Sequence, residues 1–176
     1  MHLRKGGMTH KAHTGAIRLL MKNIRTFVRN NCQMKTISTP FIYEQLFNAP
    51  IEQVWEALTN KDKMKVWYFP QIEKFEPVIG YEFEFIDDGS NYKKEWKVTD
   101  VAAGHRLAHT WVYKGCPGSS EVTFELFKEG DKTRLKLTHI GLESFPNNPH
   151  FARHRFEDGW KQIIGSNLKI YLGNNA

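Results

Sequence analysis

His109 stands between Leu107 and Trp111 on what alternation makes one face of a strand, and His139 follows Leu135 and Leu137 in the same way. An imidazole so placed could orient a ligand or pass a proton. The plainer expectation is a hydrogen-bonded core or rim histidine. His150 and His154 lie four residues apart near the start of the last predicted helix, a spacing that can hold a metal ion. With no third ligand and no carboxylate behind them, no metal is expected. Glu82 and Glu84, and Glu95 beside Trp96, alternate along strands and read as solvated outer faces. Cys116 sits in a Gly115/Pro117 loop with no base near it in sequence. No serine occupies a nucleophile elbow, and no glycine-rich loop could cradle a phosphate. The catalytic residues are therefore unknown, and no cofactor is expected.

The aromatic residues carry more information. Trp67, Phe69, Phe83, Phe85, Trp96, Trp111, Phe124 and Trp160 fall where strand alternation or helical period turns a side chain inward. Together with His109 and Ile164 they would line an apolar pocket for a flat or acyl ligand, oriented by a few polar groups. The competing reading is that they fill the core, as aromatic residues do in most proteins.

These residues need elements to position them. Thr36–Phe47, rich in β-branched and aromatic residues, is expected to be the first strand. Asn48-Ala49-Pro50 turns the chain, with Pro50 suited to the first position of a helix. Ile51, Val54, Trp55 and Leu58 give that helix one apolar face. A second short helix is expected at Lys61–Trp67, before the break at Pro70. A meander follows: a short strand at Ile72–Phe75, then Tyr81–Ile86, Lys93–Val101, Arg106–Tyr113, Glu121–Lys128 and Thr133–Ile140. Asp88-Gly89, Gly104, Pro117-Gly118 and Glu129-Gly130-Asp131 mark the turns. After the loop Pro146–Pro149, Phe156, Trp160, Ile163, Ile164, Leu168 and Tyr171 recur at helical spacing over about five turns. Half-polar strands need their apolar face covered, and only this last helix is long enough to cover them. The expected fold is α+β, a curved antiparallel sheet of six to seven strands wrapped round a long C-terminal helix, with two short helices after the first strand.

Composition limits the function classes. Of 176 residues, 40% are hydrophobic and 25% charged, ordinary values for a soluble globular chain. The net charge of +6 would suggest nucleic acid were it spread over the fold. It is not. Residues 1–33 hold Arg4, Lys5, Lys11, Arg18, Lys22, Arg25 and Arg29 and no acid, which leaves 18 basic residues against 19 acidic ones in 34–176. Nucleic acid is therefore not an expected partner. We treat 1–33 as a basic extension and 34–176 as a single domain. Within the extension, Ala16–Arg29 reads as a basic amphipathic helix, with Ile17, Leu20, Met21, Ile24 and Val28 opposite its cations. Such a segment could lie on an anionic membrane or belong to an organellar presequence. Equally, Met34 could be the natural start and the preceding residues a translated leader or vector-derived sequence. Any membrane contact is expected through residues 16–29 alone. Two cysteines, Cys32 and Cys116, with no CxxC suit a reducing compartment, and a cytoplasmic location is expected unless 1–33 is a presequence.

The order of elements, and particular runs within it, resemble the SRPBCC superfamily (START-like, birch-pollen-allergen-like). Within it the chain is similar to the family named after the C-terminal domain of the activator of the heat-shock-protein-90 ATPase. The matching residues are Asn48-Ala49-Pro50, Val54-Trp55, Ala57-Leu58-Thr59, Trp67, Gly80–Phe85 and Thr110-Trp111. Val122–Leu126, Gly130–Leu135, Leu137–Gly141 and Gly159-Trp160 complete them. The resemblance implies the helix-grip fold and a cavity between sheet and helix. It leaves function open, because such folds host lipid carriers, cyclases, hormone receptors and co-chaperones.

Three functions follow as expectations. The first is a binding module for a small apolar or aromatic ligand. The second is a co-chaperone-like domain with a protein partner, using the outer sheet face and loops. The third is a cyclase- or hydrolase-type enzyme in the same cavity, pairing His109 with Tyr113 or Tyr43.

Overall fold

The computed structural model describes residues 39–174. The expected helix at 16–29, the whole 1–33 extension and the first residues of the expected first strand lie outside the described residues.

Strand β1 (Phe41–Phe47) alternates exposed and covered side chains. Pro50, with φ −65°, caps α1 (Ile51–Thr59) rather than forming its first residue, and Ile51, Val54, Ala57 and Leu58 make the buried face. Asn60 ends α1 and opens α2 (Lys61–Trp67). Its side-chain oxygen accepts the N–H of Asp62 at 3.0 Å and of Lys63 at 3.2 Å, satisfying two donors that a helix start leaves free. Pro70 disfavours helical geometry at Phe69, so α2 ends at Trp67, and Trp67, Tyr68 and Phe69 stand as three consecutive rings, the first two buried and Phe69 half-buried.

Strands β4 (Val98–Ala102), β5 (Arg106–Trp111), β6 (Ser120–Glu129) and β7 (Lys132–Ile140) join β1 in a five-stranded antiparallel sheet of order β1-β7-β6-β5-β4. The hairpin β6–β7 turns through Gly130-Asp131, whose first position requires a positive φ that Gly130 supplies at 64°. β2 (Ile72–Lys74) and β3 (Glu84–Phe85) form a separate pair.

Two expected strands differ in detail. Tyr81–Ile86 divides its partners. Tyr81 and Phe83 exchange backbone hydrogen bonds with Val98 and Trp96 at 2.9 Å, whereas β3 turns to β2. Lys93–Val101 becomes regular only at β4, with an irregularity between Val98 and Asp100. Upstream it is attached by single bridges, Lys94 to Tyr113 and Glu82 to Lys97. A strand that changes partners must bend there, and the bend wraps the sheet edge round the core.

The C-terminal helix is also not uniform. α3 (Arg153–Gln162) passes into a π-helical segment, Ile163–Leu168, before α4 (Lys169–Asn174). Phe156, Trp160, Ile164, Leu168 and Leu172 are all buried, at steps of four. At 3.6 residues per turn each step overshoots by about 40°, so four steps of pure α-helix would carry Leu172 about 160° off the face that starts at Phe156. The wider π turn takes up that drift and keeps one row against the sheet. Leu107, Val122, Phe124, Leu126, Leu135 and Leu137 cover the sheet's inner face. The molecule is thus an α+β helix-grip fold. The outer face carries ion pairs such as Lys136–Glu125 at 3.2 Å and Arg134–Glu44 at 3.3 Å, each worth little in water. Among the described residues no helix is long and apolar enough to cross a membrane.

Candidate functional site

The elements converge where the end of β5, the exit of α2 and the middle of α3 meet. There they leave a hollow of about 210 Å³. Its floor is Trp111, Phe156 and Trp160, all buried. Its rim is Phe69, Tyr113, His150, Arg155, Gly159 and Ile163. The Trp111 and Trp160 ring centres are 5.1 Å apart at 62°, an edge-on arrangement. Gly159 sits mid-helix, and a Cβ built there would meet no atom within 4 Å. A glycine inside a helix costs about 1 kcal/mol relative to alanine, and here it leaves the hollow unobstructed.

Beneath the hollow lie two polar networks in an otherwise apolar core. His109, fully buried on β5, has Nδ1 2.8 Å from the Thr110 carbonyl and Nε2 3.0 Å from the Tyr68 hydroxyl. A carbonyl only accepts, so Nδ1 carries the proton and Tyr68 donates to Nε2. Burial pushes His109 down to about 4 and holds the Tyr68 hydroxyl well above its ordinary range. The second network runs through β7. The Trp160 indole donates to His139 Nδ1 at 2.9 Å, so Nε2 carries the proton and donates to Ser120 Oγ at 2.9 Å. Ser120 in turn donates to the Trp111 carbonyl at 2.8 Å. Burial pushes His139 down to about 3, with His109 and Arg153 adding to the effect.

The two imidazoles are therefore neutral, in opposite tautomers, with both nitrogens of each occupied. Neither has a free lone pair or proton to offer a bound molecule. His109 takes Tyr68 as partner, not Tyr113 or Tyr43. Tyr43 lies 3.4 Å from Gln45, and Tyr113 accepts the Trp111 indole N–H at 2.9 Å. Tyr113 borders the hollow, and burial raises its hydroxyl.

Of the ten residues expected to line a pocket, Phe69, Trp111 and Trp160 border this hollow. Trp67, Phe83, Trp96, His109, Phe124 and Ile164 are buried in the core around it, and Phe85 is half-buried. Trp96 is enclosed by rings, with Trp111 centred 4.3 Å away, His109 4.9 Å and Phe85 5.1 Å. Its indole N–H is buried without a hydrogen-bond partner among the described residues. Trp67 donates to the Ala57 carbonyl at 2.9 Å, pinning α2 to α1. His150 does not share a helical face with His154. It lies in the short 3-10 turn Pro149–Phe151, its ring flush on Tyr92 at 3.6 Å and 10°, and α3 begins only at Arg153. Arg155, Phe156, Gly159 and Ile163 were not among the expected pocket residues. A glycine inside an otherwise regular helical pattern was the available signal for Gly159.

A curved antiparallel sheet gripping a long C-terminal helix places the chain in the START-like class of the SRPBCC superfamily. Residues 48–173 match the family described as activator of Hsp90 ATPase homolog 1-like protein, and the chain belongs to that family. Its fold is similar to that of a Mesorhizobium loti protein, MLL2253, at TM-score 0.63 and 22% identity, covering 78% of this chain and 99% of that one. CalU16 from Micromonospora echinospora gives 0.60 at 26% identity, with 77% and 76% covered. An Hsp90 activator from Plasmodium falciparum gives 0.61 at 20% identity, with 76% and 96% covered. No curated protein matches the chain by sequence. Family membership supports a ligand-binding or Hsp90-activator-like module.

Proposed function

We propose that the chain is a non-catalytic module that binds a small hydrophobic molecule in the hollow between sheet and C-terminal helix. The observation that carries this reading is the glycine at position 159. A mid-helix residue that costs stability, and whose Cβ would meet no atom within 4 Å, borders a hollow of about 210 Å³ over three buried aromatic rings. An apolar site walled by aromatic side chains with a few polar groups at its rim is the usual form of a small-molecule pocket. The buried histidines, neutral and fully hydrogen-bonded, fit a site that holds rather than transforms its ligand. A reducing compartment such as the cytoplasm suits the two-cysteine composition.

Calorimetric titration with indole, a neutral apolar probe, tests the reading. Saturable binding is expected, and it should disappear in Gly159→Leu while the thermal midpoint stays near that of the parent. Absence of indole binding in the parent overturns it.

A second reading, a protein-interaction module, draws on the family's name and on the outward side chains of Ile42, Leu46 and Ile140, which are 53%, 43% and 40% exposed. Capture of purified Hsp90, unaffected by Gly159→Leu but lost on Ile42→Glu, would favour it.

A further inference from the structure

We infer that the hollow takes an aryl carboxylate with one ring, the ring against Trp111, Phe156 and Trp160 and the carboxylate on Arg155. This rests on the ligand-binding reading above and gives it a ligand class.

Size comes first. An engineered cavity of roughly 150 Å³ binds benzene, so a hollow of about 210 Å³ suits one ring with a short tail rather than a long acyl chain or a fused polycycle. The floor is aromatic on three sides, which favours a flat partner in stacked or edge-on contact.

Charge comes second. Arg155 is exposed at the rim and, among the described residues, makes no ion pair. The other described arginines each have one: Arg106 with Asp100, Arg134 with Glu129 and Glu44, and Arg153 with Glu157. The acids near it in sequence are engaged, Glu157 by Arg153 and Asp158 by Lys161. Arg155 also stands in the first turn of α3, which holds no acid and has no side-chain cap. The helix dipole makes that end positive, so a cation there is disfavoured. His150, the neighbouring rim group, is lowered by burial and by Arg155, and an imidazole has no negative form that could pair with the guanidinium. An unpaired guanidinium held against the dipole, beside an apolar hollow, matches an anionic group on the ligand. Its planar fork matches a carboxylate in particular. Tyr113, whose hydroxyl accepts the Trp111 indole N–H, borders the same rim.

The test compares 3-phenylpropionate with its neutral amide, 3-phenylpropanamide, by calorimetry on the full chain. The parent should bind the acid about two- to fivefold tighter than the amide, the range for an ion pair made by an exposed guanidinium. Arg155→Gln should bring the two to equal affinity, with the acid losing more than the amide, and Gly159→Leu should lose both. Octanoate, an anion of the wrong shape, should bind more weakly than the aryl acid. Equal binding of acid and amide by the parent, a preference that survives Arg155→Gln, or octanoate binding as well as the aryl acid would each overturn the inference. If indole binds saturably while the acid gains nothing, the ligand class fails and the pocket stands. If indole, acid and amide all fail to bind, both fail together.

Discussion

The indole N–H of Trp160 on α3 donates to Nδ1 of His139 on β7 across 2.9 Å, so the helix is fixed to the sheet by a directional bond as well as by apolar contact. Both residues are buried, and the bond begins a chain that ends on the Trp111 backbone. Trp160→Phe leaves His139 Nδ1 without a donor, at a cost of about 1–3 kcal/mol beyond the lost ring volume. His139→Leu strands the indole in turn. A double-mutant cycle followed by urea unfolding should give a coupling of about 1 kcal/mol or more. Additive effects would mean that the bond contributes nothing of its own.

Stability should fall on mild acidification. The unfolded chain protonates His109 and His139 near pH 6.5, whereas the fold resists protonation down to about 4 and about 3. Their contribution is whole above pH 6.5. Below it, the unfolded state binds protons that the native state refuses, so each histidine removes about 1.4 kcal/mol per pH unit. Urea midpoints measured at pH 7.0, 6.0 and 5.0 should trace this slope, and His109→Gln should halve it. A flat profile across that window would contradict the buried neutral assignment.

Four tryptophans are nearly or fully buried, and they differ in one respect. Trp67, Trp111 and Trp160 donate their indole N–H, and Trp96 finds no acceptor among the described residues. Replacing Trp96 by Phe removes an unsatisfied donor along with some volume. Trp96→Phe should therefore cost less than Trp67→Phe by about 1–2 kcal/mol in chemical unfolding. The reverse order would show that Trp96 has a partner after all.

Two glycines of the same helix should respond in opposite directions to alanine. Gly159→Ala enters open space and gains helix propensity, for a rise of about 0.5–1 kcal/mol. At Gly165 a Cβ would sit 2.5 Å from the Tyr43 hydroxyl oxygen, an overlap that should cost roughly 1–3 kcal/mol. Tyr43→Phe removes that oxygen and should recover most of the loss in the double variant. Failure of the rescue would place the strain in the π segment itself.

Much of the fold was legible because its signals are local. The alternation of Val122, Phe124 and Leu126 against Leu135 and Leu137, and the turn at Gly130, define β6 and β7 close to their observed limits. The β3–β4 region was harder to read. Tyr81–Ile86 shows clean alternation, but alternation does not report which neighbour a strand chooses, and here it chooses two. The π segment was hidden for a similar reason. Ile163 and Ile164 both fit a helical face, and the step-of-four row from Phe156 to Leu172 reads as ordinary amphipathicity unless its drift is added up.

The site was legible in residue type more than in position. Inward aromatics were evident, but which of them border the hollow depends on how three elements meet. Trp96 and Phe124 are as well patterned as Trp111, yet neighbouring rings enclose them. Arg155 looks like any surface cation until the absence of an acid partner is seen in three dimensions. Tyr68, the partner of His109, lies 41 residues away in sequence.

The π segment divides the C-terminal helix into two stretches. Upstream, Arg155, Phe156, Gly159 and Trp160 border the hollow; downstream, Leu172 holds the helix end in the core. Because the wide turn resets the angular phase between them, the rows on both sides of it face the core together. Loss of one residue inside Ile163–Leu168 would therefore re-seat one end of the helix or the other.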